Sequence, residues 1–239
     1  MRLLIDSKGD RYLVNDGNDL HTKYGVVKAD AIAAAQPGAV LESNTGIKFA
    51  VLEPNILDYI SKARRGPQAM TLKDMGLAVA YSGIRSGSRV FESGTGSGLF
   101  TLYLSHIVHP ETVVTYELRE DFAQIAKKNF ERFGAKNVRL ELRDTYNGID
   151  EKGLDAVFLD LTEPWRVVPK LEGALKVGGI LVSYSPSINQ NRQLVEVLGT
   201  TWLHETFETM LRDWKADKMS PDTRMLGHTG FLTVARKLK

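Results

Sequence analysis

The sequence predicts an α/β chain: a mostly parallel sheet covered by helices, preceded by a small β-rich domain. Three observations predict it. From about residue 70, apolar runs of strand length alternate with helical patterns, the order expected of a parallel sheet buried on both faces. A glycine-rich loop, Gly94-Thr95-Gly96-Ser97-Gly98, separates one such strand from a helix beginning near Leu99. Before residue 55 the apolar runs are short and broken by turn signals instead.

Those first runs fall at residues 3–5, 12–14, 25–27, 39–41 and 49–52, separated by Lys8-Gly9-Asp10, Asn15-Asp16-Gly17 and Gln36-Pro37-Gly38. They predict a small β-rich, barrel-like domain within residues 1–65, with the α/β domain over 66–239. In the second part, strands are expected at 89–93, 113–117, 138–142, 155–160 and 179–184, and two more near 203–209 and 230–236. A helix is expected over Glu120–Phe133, where Phe122, Ile125, Ala126, Phe130 and Phe133 share one face and lysines and Glu131 the other. The glycines of Val177-Gly178-Gly179 read as a turn leading into the fifth strand.

Composition sets limits on function. The chain has 239 residues, 43% hydrophobic and 25% charged, which suffices for a sizeable core. It contains no cysteine, which excludes disulfides, thiolate metal sites and cysteine nucleophiles together. No apolar run is long enough to span a bilayer, and the charged, alternating start MRLLIDSKGDRYLV is unlike a secretory signal. A cytoplasmic protein is expected. The net charge of +2 permits a local basic patch without requiring a polyanionic partner. Lys62, Arg64 and Arg65 form the one obvious basic cluster, readable as an RNA-phosphate contact or as a solvated helix end. No histidine and carboxylate spacing suggests a metal, and His228 fits a turn as well as a site.

The chemistry concentrates at strand ends. The glycine loop departs from the dinucleotide pattern G-x-G-x-x-G, because Leu99 stands where the third glycine belongs. No Gly-Lys-Ser/Thr follows, so a nucleoside-triphosphate loop is excluded. What remains is a tight turn whose backbone, through Ser97, Gly98, Leu99 and Phe100, offers N–H groups to a ligand, with the acid Glu92 two residues before Gly94. The next strand ends in Glu117, 19 residues after Gly98, where a carboxylate accepts hydrogen bonds from ribose hydroxyls. A ribose-bearing ligand is expected. Asp160 closes the fourth strand in DAVFLDLTEPW and should face the same crevice, since ligands of parallel sheets bind at the carboxyl ends of strands.

Glu92-x-Gly94-x-Gly96-x-Gly98 with Glu117 resembles the class I S-adenosylmethionine-dependent methyltransferases. The resemblance implies a Rossmann-like seven-stranded domain, a loop facing the methionine part of the donor, Glu117 on the ribose and Asp144 beside the adenine. An Asp at a strand end is also commonly a helix cap. The form Asp160-x-x-x-Pro164-Trp165 resembles, more narrowly, the tRNA (adenine-N1)-methyltransferases. So do Phe49-Ala50-Val51-Leu52-Glu53-Pro54, Asp58-Tyr59-Ile60, Arg65-Gly66-Pro67-Gln68, Lys73-Asp74 and Gly227-His228-Thr229-Gly230-Phe231-Leu232. Leu161-Thr162-Glu163 departs from the proline-containing variants more usual there.

This resemblance implies an enzyme that methylates N1 of adenine 58 in the tRNA T-loop, and in archaeal members also 57, as a homotetramer whose small domain helps hold tRNA. It implies Gln68 over the methionine end of the donor and Asp160 as the catalytic acid. A carboxylate hydrogen-bonded to N6–H stabilises the positive charge that methylation puts on the ring. The target base must leave its RNA context, and Trp165 or Tyr184 can offer it a flat face. Two alternatives stand: a methyltransferase of the same class acting on a protein or small molecule, and a silent RNA-binding subunit. Retention of Gly94, Gly96, Gly98, Glu117 and Asp160 argues for an active chain.

Overall fold

The computed structural model describes residues 1–66 and 68–239, so Pro67 of the Arg65–Gln68 motif lies outside the described residues. The chain divides into two compact units, Met1–Ala63 and Arg64–Lys239. Arg64 and Arg65 therefore belong to the large unit rather than to the small domain assigned to them from sequence.

In the small unit, β1 (Arg2–Asp6), β2 (Arg11–Val14), β5 (Val40–Glu42) and β6 (Lys48–Leu52) form an antiparallel sheet in the order β2-β1-β6-β5. The strands β3 (Leu20–Thr22) and β4 (Gly25–Val27) pair as a separate hairpin. The barrel expected from the strand spacing does not close, because β2 and β5 remain edges among the described residues. Along β6, Phe49 and Val51 are fully buried while Lys48, Ala50 and Leu52 face outward, the period-two pattern of a one-sided sheet. Those two join Leu4, Val14, Leu20, Val27 and Ile32 in one core. Ile32 comes from a short helix, α1 (Ala29–Ala34). A second helix, α2 (Ile56–Lys62), is started by a capping box in which Asn55 and Asp58 satisfy each other's backbone N–H groups.

The large unit opens with α3 (Leu72–Ser82), and then β7 (Val90–Ser93), α4 (Leu99–Val108), β8 (Val113–Glu117), α5 (Glu120–Phe133), β9 (Val138–Leu142), β10 (Leu154–Leu159), β11 (Leu175–Ser185), α6 (Ile188–Leu198) and β12 (Trp202–Glu208) follow. A two-residue pair, β13 (Trp214–Lys215) with β14 (Ser220–Pro221), precedes β15 (Phe231–Lys237). Seven of these strands form one sheet in the order β12-β15-β11-β10-β7-β8-β9. Only β15 runs against its neighbours; the pairs from β11 across to β9 are parallel. From β7 the strands β8 and β9 follow outward in one direction, and from β10 the strands β11, β15 and β12 lie outward in the other, so the order reverses between β7 and β10. Ligands of open α/β sheets bind at that reversal, outside the carboxyl ends of the strands.

The sheet is buried on both faces, as β8 shows with all five residues buried. Phe91, Val157, Leu159 and Leu181 meet Leu194 and Leu198 of α6 in the main core. The predicted turn at 177–179 is instead part of β11. Gly178 adopts φ 82° there, and the register to β10 shifts between Leu154–Leu175 and Ala156–Ile180, so the strand carries an irregularity rather than starting after it.

Candidate active site

The loop after β7 and the residue after β10 meet at the reversal point. The Gly94 N–H donates to the Tyr116 carbonyl at 3.1 Å, and the Asp160 N–H donates to the Ser93 carbonyl at 2.9 Å. Gly94 has φ 94°, and a Cβ placed on it would lie 2.1 Å from the Asp160 carbonyl oxygen. Only glycine lets these two segments touch.

Two adjoining cavities open along this line, with about 490 and 890 Å³ of empty space. They share Gln68, Gly94, Gly96 and Asp160. The smaller is walled by Met70, Met75, Leu99, Phe100, Phe158 and Val182, with Glu92, Thr95, Ser97 and Tyr184 among its polar members. The larger runs past Glu117, Leu118 and Arg119 to Asp144, Thr145 and Tyr146, and is bounded by Leu161 and Thr162. Of the residues singled out in the sequence, Gly98, Arg64, Arg65 and Trp165 are not part of either lining. Gly98 caps α4 with φ 75°. Arg64 and Arg65 are exposed.

Trp165 is half-buried and packs against the main core, the packing role that competes with a base platform. The 3-10 turn Pro164–Arg166 buries Pro164 and leads directly into the buried Val167 and Val168.

The acids differ in what holds them. Glu117, nearly buried, accepts the Gly96 N–H at 2.8 Å on one oxygen and the Arg119 N–H at 2.9 Å on the other, which ties β8 to the glycine loop. Each oxygen keeps a lone pair for a further donor. Asp144 caps the turn Thr145–Asn147 by accepting the Tyr146 N–H at 2.9 Å and also lines the larger cavity, so cap and lining coexist. Glu92 is buried, and desolvation drives its carboxyl up to about 7 despite hydrogen bonds from Thr101 (2.5 Å) and Thr115. Asp160 is exposed as a residue, while its carboxyl is crowded by the protein atoms that line both cavities. Desolvation there, with the charge of Glu117 second, raises it to about 7 as well. Its carboxylate accepts no hydrogen bond among the described residues.

Tyr184 projects from β11 with its hydroxyl donating to the Thr229 carbonyl at 2.6 Å, and burial pushes its phenol up to about 12. Gly230 follows at once, where a Cβ would strike the Tyr184 ring at 2.5 Å. Thr229 gives its own hydroxyl to Asp74, which is buried and also receives Thr71, Thr209 and the Lys73 ammonium. The Lys73-Asp74 and Thr229-Gly230 motifs thus form one hydrogen-bonded support behind a tyrosine of the cavity wall.

Sequence reasoning missed Tyr146 and Asn129. Asn129 accepts the Arg64 N–H (2.9 Å) and donates to the carbonyls of Arg64 (2.9 Å) and Ser97 (2.8 Å), while the Ser97 hydroxyl accepts the Gly66 N–H (2.8 Å). Its signal was present: Asn129 is a polar residue on the apolar face of α5, in line with Phe122 and Ala126. Asn129→Ala leaves the buried Ser97 carbonyl and two part-buried Arg64 backbone groups unpaired and should cost about 1–3 kcal/mol in urea unfolding.

A sheet of this order, with one reversed strand and a glycine loop at the point of reversal, is the fold of the class I S-adenosylmethionine-dependent methyltransferases. A crystal structure described as an S-adenosylmethionine-dependent O-methyltransferase from Thermotoga maritima superposes with a TM-score of 0.89 at 30% identity, covering 100% of this chain and 92% of that one. The tRNA (m1A58) methyltransferase TrmI from Aquifex aeolicus gives 0.81 at 28% identity, covering 100% and 96%. In sequence, the tRNA (adenine(57)-N(1)/adenine(58)-N(1))-methyltransferase TrmI of Methanocaldococcus jannaschii is 35% identical over 98% of this chain and 94% of its own length. The family described as tRNA methyltransferase complex GCD14 subunit matches residues 62–223, and the chain belongs to that family of tRNA methyltransferases.

Proposed function

We propose that this chain transfers a methyl group from S-adenosylmethionine to N1 of adenine in the T-loop of tRNA, at position 58; the transcripts below decide whether 57 is modified as well. The observation that carries the reading is the unpartnered Asp160 carboxylate, which lines both cavities at the reversal of the sheet. A near-full-length likeness to tRNA adenine-N1 methyltransferases supports it.

The residues fit the donor. Glu117 has acceptor capacity left for ribose hydroxyls, and Asp144 with Leu118 and Tyr146 gives the larger cavity the mixed polar and flat lining a purine needs. Gln68, Glu92, Gly96 and Ser97 would hold the methionine end, and Leu99 and Phe100 would close over it. When bound, S-adenosylmethionine supplies an electrophilic methyl group. Asp160 accepts the target N6–H, holds the charge that develops on the ring, and takes the proton afterwards. A carboxyl raised to about 7 is well matched to give and take a proton near neutrality. The Tyr184 ring flanks the incoming base.

Arg64 and Arg65 contact tRNA phosphates in this reading, and the small unit provides further RNA contacts. Arg64→Ala and Arg65→Ala should each weaken tRNA binding and lower the slope of log K against log salt by about 1, read by filter binding across a salt series. The chain works as a homotetramer. Exposed Leu203, Met210, Leu211, Trp214 and Met219 supply apolar surface for self-association. Among the described residues no helix is long and apolar enough to cross a membrane, and no His, Cys, Asp and Glu group could hold a metal. A cytoplasmic location goes with the substrate.

The Thermotoga maritima likeness favours a second reading, hydroxyl methylation. Tritiated-methyl transfer to transcripts carrying guanine at 58, at 57 or at both separates the readings. Loss of label with the matching substitution supports adenine methylation at that position. Label that survives both substitutions contradicts adenine methylation at these positions, and a donor-binding chain that labels no transcript supports the second reading.

A further inference from the structure

Among the described residues the Asp160 carboxylate has no hydrogen-bond partner to aim it, so its placement depends on the backbone that carries it. That backbone leaves β10 at Leu159 and is next held within an element only at Pro164. Two side chains from other parts of the large unit bridge the gap. The Gln190 amide donates to the Thr162 carbonyl at 2.8 Å. The Tyr146 hydroxyl accepts the Glu163 N–H at 3.1 Å.

Each clamp is itself anchored. The Gln190 carbonyl oxygen accepts the Ser187 N–H at 3.1 Å as the return half of the capping box of α6, so one amide joins the helix start to the loop. The Tyr146 ring packs against the main core, and the Arg166 guanidinium stacks 4.2 Å from its centre while pairing with Glu163 at 2.7 Å. The loop is therefore gripped at two successive residues, on a carbonyl and on an N–H, from opposite ends of the sequence around it.

We propose that Tyr146 and Gln190 are positioning residues for Asp160: they hold the 160–163 backbone so that the carboxylate meets the acceptor base in register. The proposal rests on the reading of Asp160 as the catalytic acid. It makes the clamps matter only while that acid is present, since an orienting contact has nothing to orient once the carboxylate is gone.

The test is a set of single-turnover methylation rates on unmodified tRNA transcript. Tyr146→Phe keeps the ring and its stacking but removes the acceptor. Gln190→Glu keeps the oxygen that caps α6 and replaces the donor with a group that cannot bond a carbonyl. Each should slow methyl transfer about tenfold, a modest part of what misplacing a reacting group can cost. Placed on Asp160→Ala, each should cost no more than about twofold further, because coupled residues are not additive. Loss of the full factor in the Asp160→Ala background overturns the proposal, since the clamps then act on something else. Normal rates for both variants beside a disabled Asp160→Ala overturn it while leaving the catalytic reading intact. A fully active Asp160→Ala overturns both.

Discussion

Asp160→Ala is expected to slow methyl transfer to tRNA by about 10²- to 10³-fold, the range of a lost general base combined with lost charge stabilisation. The size follows from position. No other carboxylate lines both cavities at the junction of β7 and β10 among the described residues; Glu92 lines only the smaller and Glu117 only the larger. Desolvation, with Glu117 adding to it, raises Asp160 to about 7, so its protonated form persists to near neutrality. The sign follows. Protonation removes the negative charge that stabilises the developing cation and the base that takes the proton, so the rate should rise as pH climbs through about 7 and level off above it. Glu92 titrates in the same range, because it is buried in the same region. Rate against pH for Asp160→Asn and Glu92→Gln separates them: only the first should lose the rising limb along with most of the rate. An unchanged limb in Asp160→Asn would assign the titration elsewhere.

Gly94→Ala should be the most damaging single methyl group in the chain. The new Cβ would meet the Asp160 backbone carbonyl at 2.1 Å, and backbone cannot swing aside as a flexible side chain can. The φ of 94° adds strain for any L side chain. Together these should cost about 3 kcal/mol or more in urea unfolding. The clash also pries the glycine loop from the strand end that carries the acid. Thermal melts with and without S-adenosylmethionine read both effects at once, since a ligand of the folded state raises Tm. The variant should melt lower and show little donor-induced shift. A near-normal Tm with a full shift would mean the two segments do not need to touch.

Features written in local spacing were legible in the sequence. The strands at 113–117 and 138–142 were read to the residue, because each is a short apolar or alternating run bounded by turns. The glycine loop and the acids at strand ends were equally local, and Gln68, Glu92, Gly94, Gly96, Ser97, Glu117, Asp144, Asp160 and Tyr184 all line the two cavities. The misses have physical reasons. The glycines at 178 and 179 read as a turn, but strand β11 tolerates them through a register shift. The helix at 29–34 is too short for periodicity to show, and the capping box at Asn55 and Asp58 was readable but weak beside the turn signals around it. Trp165 follows the acid closely in sequence, but its packing against the core could not be read from that spacing. Clamps such as Gln190 to Thr162, 28 residues apart, and Asn129 to Arg64, 65 apart, depend on pairings that only the folded sheet creates.

The most direct measurement mixes the purified chain with S-adenosylmethionine and an unmodified tRNA transcript, digests the RNA to nucleosides and identifies the product by mass spectrometry. The account predicts 1-methyladenosine from the native chain, and almost none from Asp160→Ala in the same time. Donor binding without any methylated adenine, or a methylated product of another kind, would contradict it.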